Sequence, residues 1–132
     1  MTPTEWHRLV TAIHDFDAPE AAVEACAEIK ARATTADIPL LLGLLEDDSF
    51  FVREAAAWPL SDLGCVDALP QLLAAYQRGL DEGHDNDGMS AALADLVCGN
   101  QHASRVRLEA LARGDALDLR AHAAWLLEFC DQ

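Results

Sequence analysis

The stretch Val-Arg-Glu-Ala-Ala-Ala-Trp-Pro-Leu at 52–60 returns as Leu-Arg-Ala-His-Ala-Ala-Trp-Leu-Leu at 119–127. Arg, two Ala, Trp and Leu coincide when one copy is slid 67 positions onto the other. Self-similarity at a fixed period constrains a chain strongly, because each copy is one structural unit that must stack on its neighbours to bury an apolar face. A second match supports the period. Ile38-Pro39-Leu40-Leu41-Leu42 aligns with Leu69-Pro70-Gln71-Leu72-Leu73 at 31 positions, so 67 spans two units. The run Met89 to Leu96 supplies the copy between, and Ala21 to Ile29 a fainter one upstream. The reading is four units over approximately residues 3–33, 34–64, 66–99 and 101–131.

Each unit reads as helical. Val52, Ala56, Leu60 and Leu63 form one α-helical stripe, repeated by Leu119, Ala123, Leu127 and Cys130. No segment alternates apolar and polar residues with period two, so no strand is expected. Thr2-Pro3-Thr4-Glu5 has the form of a capping box with Pro at the first helical position, and Asp17-Ala18-Pro19-Glu20 is similar. Ser49, Asp67 and Asp115 are further expected N-caps, and Gly64, Gly99 and Gly114 mark expected helix ends. Pro59, inside a helix, removes one backbone hydrogen bond and is expected to kink the rod. The alanines let helices approach closely, so a larger residue at Ala56 or Ala123 should overpack the contact.

The segment Val52 to Gly64 resembles the second helix of a HEAT repeat of the kind found with phycobilin lyases: Val-Arg, a small-residue triplet, then a Leu-Gly end, with Asp47-Asp48 as the acidic turn ahead of it. Pro59 stands where that pattern has Ala, and Ser61 where it has its first Gly. The chain is therefore identified as similar to a small bacterial single-domain member of that family. The resemblance implies an all-α fold, a short right-handed α-solenoid of about four helix pairs, acting mostly as a binding scaffold. It also implies that Arg53 and Arg120 bridge carboxylates such as Asp48 and Asp115. Trp58 and Trp125, at a variable, outward-facing position of the pattern, are expected on one inner surface, with Glu54 and Asp62 one turn either side of Trp58.

Composition narrows the partner. The 132 residues carry 9 Lys and Arg against 23 Asp and Glu, a net charge of −14. Nucleic-acid binding needs a basic face that displaces counterions from phosphates, and an anionic membrane has the same requirement, so both are disfavoured. A basic protein surface is the natural complement. There is no long apolar run and no basic–apolar leader at the start, which points to the cytoplasm. Cys26, Cys65, Cys98 and Cys130 lie 39, 33 and 32 residues apart. They form no CxxC pair and read as reduced, small buried packing residues.

The segment Gly79 to Gly88 lengthens the third unit and carries Asp81, Glu82, Asp85 and Asp87 with His84. Insertions in solenoids often lie on the binding face. Its end, Asp85-Asn86-Asp87-Gly88, falls short of a calcium loop because position 83 is Gly and position 94 is Ala. Asp87 is expected to cap the helix that follows. The five histidines show no ligand spacing, and no phosphate loop or nucleophile elbow is present, so no cofactor, metal or catalytic residue is assigned. The reading is an acidic protein-binding module using Glu54, Trp58, Asp62, Asp81, Glu82, His84, Asp85, Asp87 and Trp125. Its most concrete form is an immunity protein, an antitoxin masking a basic toxin domain. A lyase-like or cofactor-pathway subunit, or a plain scaffold, is the alternative.

Overall fold

The computed structural model describes residues 1–131 and is helical throughout, with no strand among those residues. Eight α-helices follow in order: α1 (Pro3–Ile13), α2 (Pro19–Arg32), α3 (Ile38–Leu44), α4 (Phe50–Asp62), α5 (Leu69–Asp81), α6 (Asp87–Gly99), α7 (Gln101–Ala112) and α8 (Leu117–Leu127). Short 3-10 turns precede α3 and α5 and follow α8. None of these helices is long and apolar enough to cross a membrane.

The helices stack as the repeat requires. α1 packs on α2, α3 on α4 and α7 on α8, while α2, α4 and α6 lie side by side through the middle of the array. One continuous core joins them, from Leu9 and Ile13 through Val52, Ala56 and Leu60 to Leu93, Ala123 and Leu126. The result is a short HEAT-type solenoid of stacked helix pairs. Its last helix departs from the stripe expected. Ala123 and Leu126 are fully buried, but Leu119 and Leu127 only half so, and α8 lies against α5 as well as α7.

Helix starts divide into two kinds. Thr2 makes the full capping box with Glu5, and Ser49 Oγ accepts from Val52 N–H at 3.5 Å. The other expected acidic caps do not form. Ala18, Ala68 and Ala116 occupy the N-cap positions in place of Asp17, Asp67 and Asp115, with no side-chain cap. Asp67 is displaced into the 3-10 turn and pairs with Arg107 instead. Asn86, in the left-handed conformation at φ 61°, sits at the N-cap of α6, and Asp87 is already helical. Gly64 ends α4 at φ 66°, as its position suggests, whereas Gly99 is the last residue of α6 and Asn100 follows as its cap. α4 runs on from Phe50 to Asp62 across Pro59 as one helix.

The cysteine expectation needs correction. Only Cys130 is buried. Cys26 and Cys65 are half-buried and Cys98 is exposed. Cys65 lies in a turn and Cys98 inside α6, so their spacing near the repeat length does not give them equivalent environments.

Candidate functional site

Side chains from three of the units converge on the turn between α3 and α4. Arg53 is completely buried, and its Nη1 donates to the backbone carbonyls of Asp47 at 2.8 Å and Asp48 at 3.1 Å, while Nη2 donates to the Glu82 carboxylate. Arg78 donates from Nη1 to the carbonyls of Glu46 and Asp47, from Nη2 to the Asp48 carboxylate at 3.0 Å, and from Nε to Glu82. Two guanidinium forks thus satisfy the carbonyls left over where α3 ends. The Asp47 carboxylate accepts from the Ser49 N–H and pairs with His14 Nε2 at 2.7 Å, bringing in the first unit. The expected partner of Arg53 is therefore corrected: Arg53 holds Asp48 by its carbonyl, and its carboxylate is Glu82 of the next unit. Arg120 is exposed and donates to the Ala112 carbonyl at 3.3 Å.

This network decides which loop acids face outward. The Arg53 hydrogen bond holds Glu82 below the usual carboxylate range, so Glu82 is engaged internally. His84 is also tied down, stacked on Phe50 at 4.1 Å and 12°. Asp81 accepts from the Gln77 amide, and Asp85 accepts from the Asp87 N–H. Asp81, Asp85 and Asp87 remain exposed. The loop's hidden anchor is Asn86. It is fully buried, with Nδ2 donating to the Tyr76 carbonyl at 2.8 Å. Gly79 makes room for it, since a Cβ there would come within 2.3 Å of Asn86 Oδ1. The only sequence sign of this was a glycine inside a helix, followed by Asn-Asp-Gly.

Glu54, Trp58 and Asp62 do share one stripe of α4, and Phe51 extends it. Burial, reinforced by Asp85, pushes the Glu54 carboxyl above its ordinary value. Its side chain packs where a Cβ at Gly88 would fall, so this stripe adjoins the start of α6 and the acidic loop. Trp58 is half-buried, with Lys30 Nζ 6.0 Å from its ring, and Lys30 also pairs with Asp62 at 2.9 Å. Trp125 serves a different contact. Its ring stacks on Tyr76 of α5 at 5.9 Å and meets Phe129 edge-on. The two tryptophans occupy matching helix positions, yet one turns toward α2 and the other onto α5, because α8 lies against α5.

Sequence reasoning passed over an apolar patch at one end of this stripe. Phe16 of the α1–α2 loop, Val23 of α2 and Phe51 of α4 are 62%, 59% and 36% exposed and, with Pro19 and Ala22, line a cavity of about 130 Å³. The available signal was Phe16 itself, a large aromatic between two helices where polar residues are usual.

Most of the positive charge is paired within the molecule. Arg8, Lys30, Arg32, Arg53, Arg78 and Arg107 each pair with a carboxylate. The excess of 23 Asp and Glu over 9 Lys and Arg leaves the molecule strongly negative. No group of His, Cys, Asp and Glu among the described residues is arranged to hold a metal.

Comparison with known proteins agrees with this architecture. The family profile described as HEAT repeats matches residues 8–83, more than half of the chain. No curated protein and no solved structure matches it. On the repeat profile and the stacked helix pairs that carry it, the chain belongs to the HEAT-repeat family.

Proposed function

We propose that this protein acts by covering the surface of a basic partner protein, and that the partner is a toxin domain whose activity is blocked by occlusion. HEAT repeats are in general protein-interaction scaffolds, which supports a binding role. The observation that carries the choice of partner is the segregation of charge. At least six of the nine cations pair with the chain's own carboxylates among the described residues, while Asp81, Asp85 and Asp87 stand exposed beside the α4 stripe. Such a field accelerates and orients encounter with a basic surface.

Glu54, Trp58 and Asp62 form the stripe of α4 that faces the partner in this reading, with Asp81, Asp85 and Asp87 as its acidic flank. Glu82, His84 and Trp125 support it by internal contacts. Co-expression with the products of the genes flanking its own tests the proposal. A basic product should co-purify, release with rising salt, and lose its activity in the complex. Binding with activity intact would make the protein a scaffold, and no complex with any basic product would refute the proposal.

A further inference from the structure

We infer that the patch formed by Phe16, Val23 and Phe51 is the anchor of the interface, and that it seats an apolar side chain of the partner framed by Lys or Arg. This rests on the basic-partner reading above and adds where the contact is centred. Three of the seven large apolar side chains left exposed in the described structure lie together here, contributed by three separate segments. Contiguous apolar surface of this kind is costly in water and marks interaction sites more often than scattered exposure does.

The patch is also preorganised. The α1–α2 loop that presents Phe16 is closed by Asp15 N–H to the Ala12 carbonyl, Ala18 N–H to the Asp15 carbonyl and Asp17 N–H to the Asp15 carboxylate, each at 3.2 Å. Little ordering remains to be done on binding.

Charge selects the occupant. Asp15 and Asp17 flank Phe16, and Glu20 and Glu24 flank Pro19 and Val23; all four are exposed and carry no ion pair among the described residues. A second copy of this chain would bring the same carboxylates against them, so self-association is opposed. An apolar knob ringed by cations satisfies both the patch and its rim, the arrangement of a buried anchor inside a polar margin.

The test uses the intact ¹⁵N-labelled chain and a helical peptide of Leu and Lys alone, with a Ser–Lys peptide of equal charge and a Leu–Glu peptide of equal pattern. The Leu–Lys peptide should move the amide resonances around residues 16, 23 and 51. Phe16→Ser with Val23→Ser should weaken it about tenfold or more. Val106→Ser, at a site 63% exposed on α7, should not weaken it, and all three chains should keep their helical circular dichroism. Equal binding by the double variant, or shifts centred on residues 81–87, would overturn the patch and leave the basic-partner reading standing. Equal binding of Leu–Glu, or no binding of either lysine peptide, would overturn both. A dimer abolished by Phe16→Ser would show that a second copy is the occupant.

Discussion

Replacing Arg53 separates the parts of the network that holds the first three units together. Its guanidinium is fully buried, touches two carbonyls and one carboxylate, and leaves Nε without a hydrogen-bond partner. Arg53→Met keeps most of the volume and removes a buried charge, which by itself is often neutral. The Asp47 carbonyl retains Arg78, so only the Asp48 carbonyl loses its donor. An unmet carbonyl in this part-buried turn falls at the lower end of the cost of a lost partner, placing Met at about 1–2 kcal/mol. Arg53→Ala loses the same bond and also empties a space the size of a long side chain, adding to a total of about 3–4 kcal/mol. Arg53→Lys keeps the charge but not the fork, and a buried, strongly hydrated ammonium with one acceptor in reach should fall between, at about 2–3 kcal/mol.

Urea unfolding at neutral pH measures this, with the slope held constant to show that the states compared are the same. Melting temperature should follow at roughly 4 °C per kcal/mol. The order expected is Met, then Lys, then Ala. Met as damaging as Ala would refute the reasoning, because it would mean that the Glu82 ion pair, and not carbonyl capping and packing, dominates.

Other expectations follow from the same structure. Gly79→Ala should destabilise by about 1–3 kcal/mol despite better helix propensity, because the fully buried Asn86 cannot withdraw, whereas Gly43→Ala, with open space around it, should stabilise by about 0.5–1 kcal/mol; parallel denaturation curves compare them. Ala56→Leu should cost about 1–3 kcal/mol by overpacking the zero-exposure contact within the core, read in the same assay. His14 has its pKa raised, chiefly by the hydrogen bond to Asp47 and then by the Val10 carbonyl. Its contribution is therefore full below the ordinary histidine value and is lost as pH rises above it, and thermal melts of His14→Gln should lack that decline. His122 is lowered by burial, so its effect has the opposite sign and falls below the ordinary value, keeping the two windows apart.

Much of the fold was legible because the repeat constrains it. A duplicated Arg-x-x-Ala-Ala-Trp core and the aliphatic-Pro starts Ile38-Pro39 and Leu69-Pro70 leave few alternatives to stacked helix pairs. Thr2 and Ser49 were legible as caps because a cap is a local interaction. Asp17, Asp67 and Asp115 misled for the opposite reason: 3-10 turns and loop geometry displaced them by a residue or more. Arg53 shows the limit most plainly. Its partner, Glu82, is 29 positions away, and only the packing of one unit on the next brings the two together. The shared stripe of Glu54, Trp58 and Asp62 on α4 was legible, because helical periodicity alone aligns them. It was not legible at Phe16, Val23 and Phe51, which become one patch through three segments far apart in sequence. Trp125 differs from Trp58 because its ring meets Tyr76 of α5 and Phe129, contacts the repeat pattern alone does not specify.

The central claim, an acidic solenoid anchored on a basic partner through an apolar patch, is tested most directly by calorimetric titration of the intact chain with its co-purified partner. Wild type and Phe16→Ser with Val23→Ser should be compared at about 50 mM and about 300 mM salt. The account predicts a negative heat-capacity change that shrinks in the variant, and an affinity that falls with salt in both. An affinity insensitive to salt, or a variant indistinguishable from wild type, would contradict it.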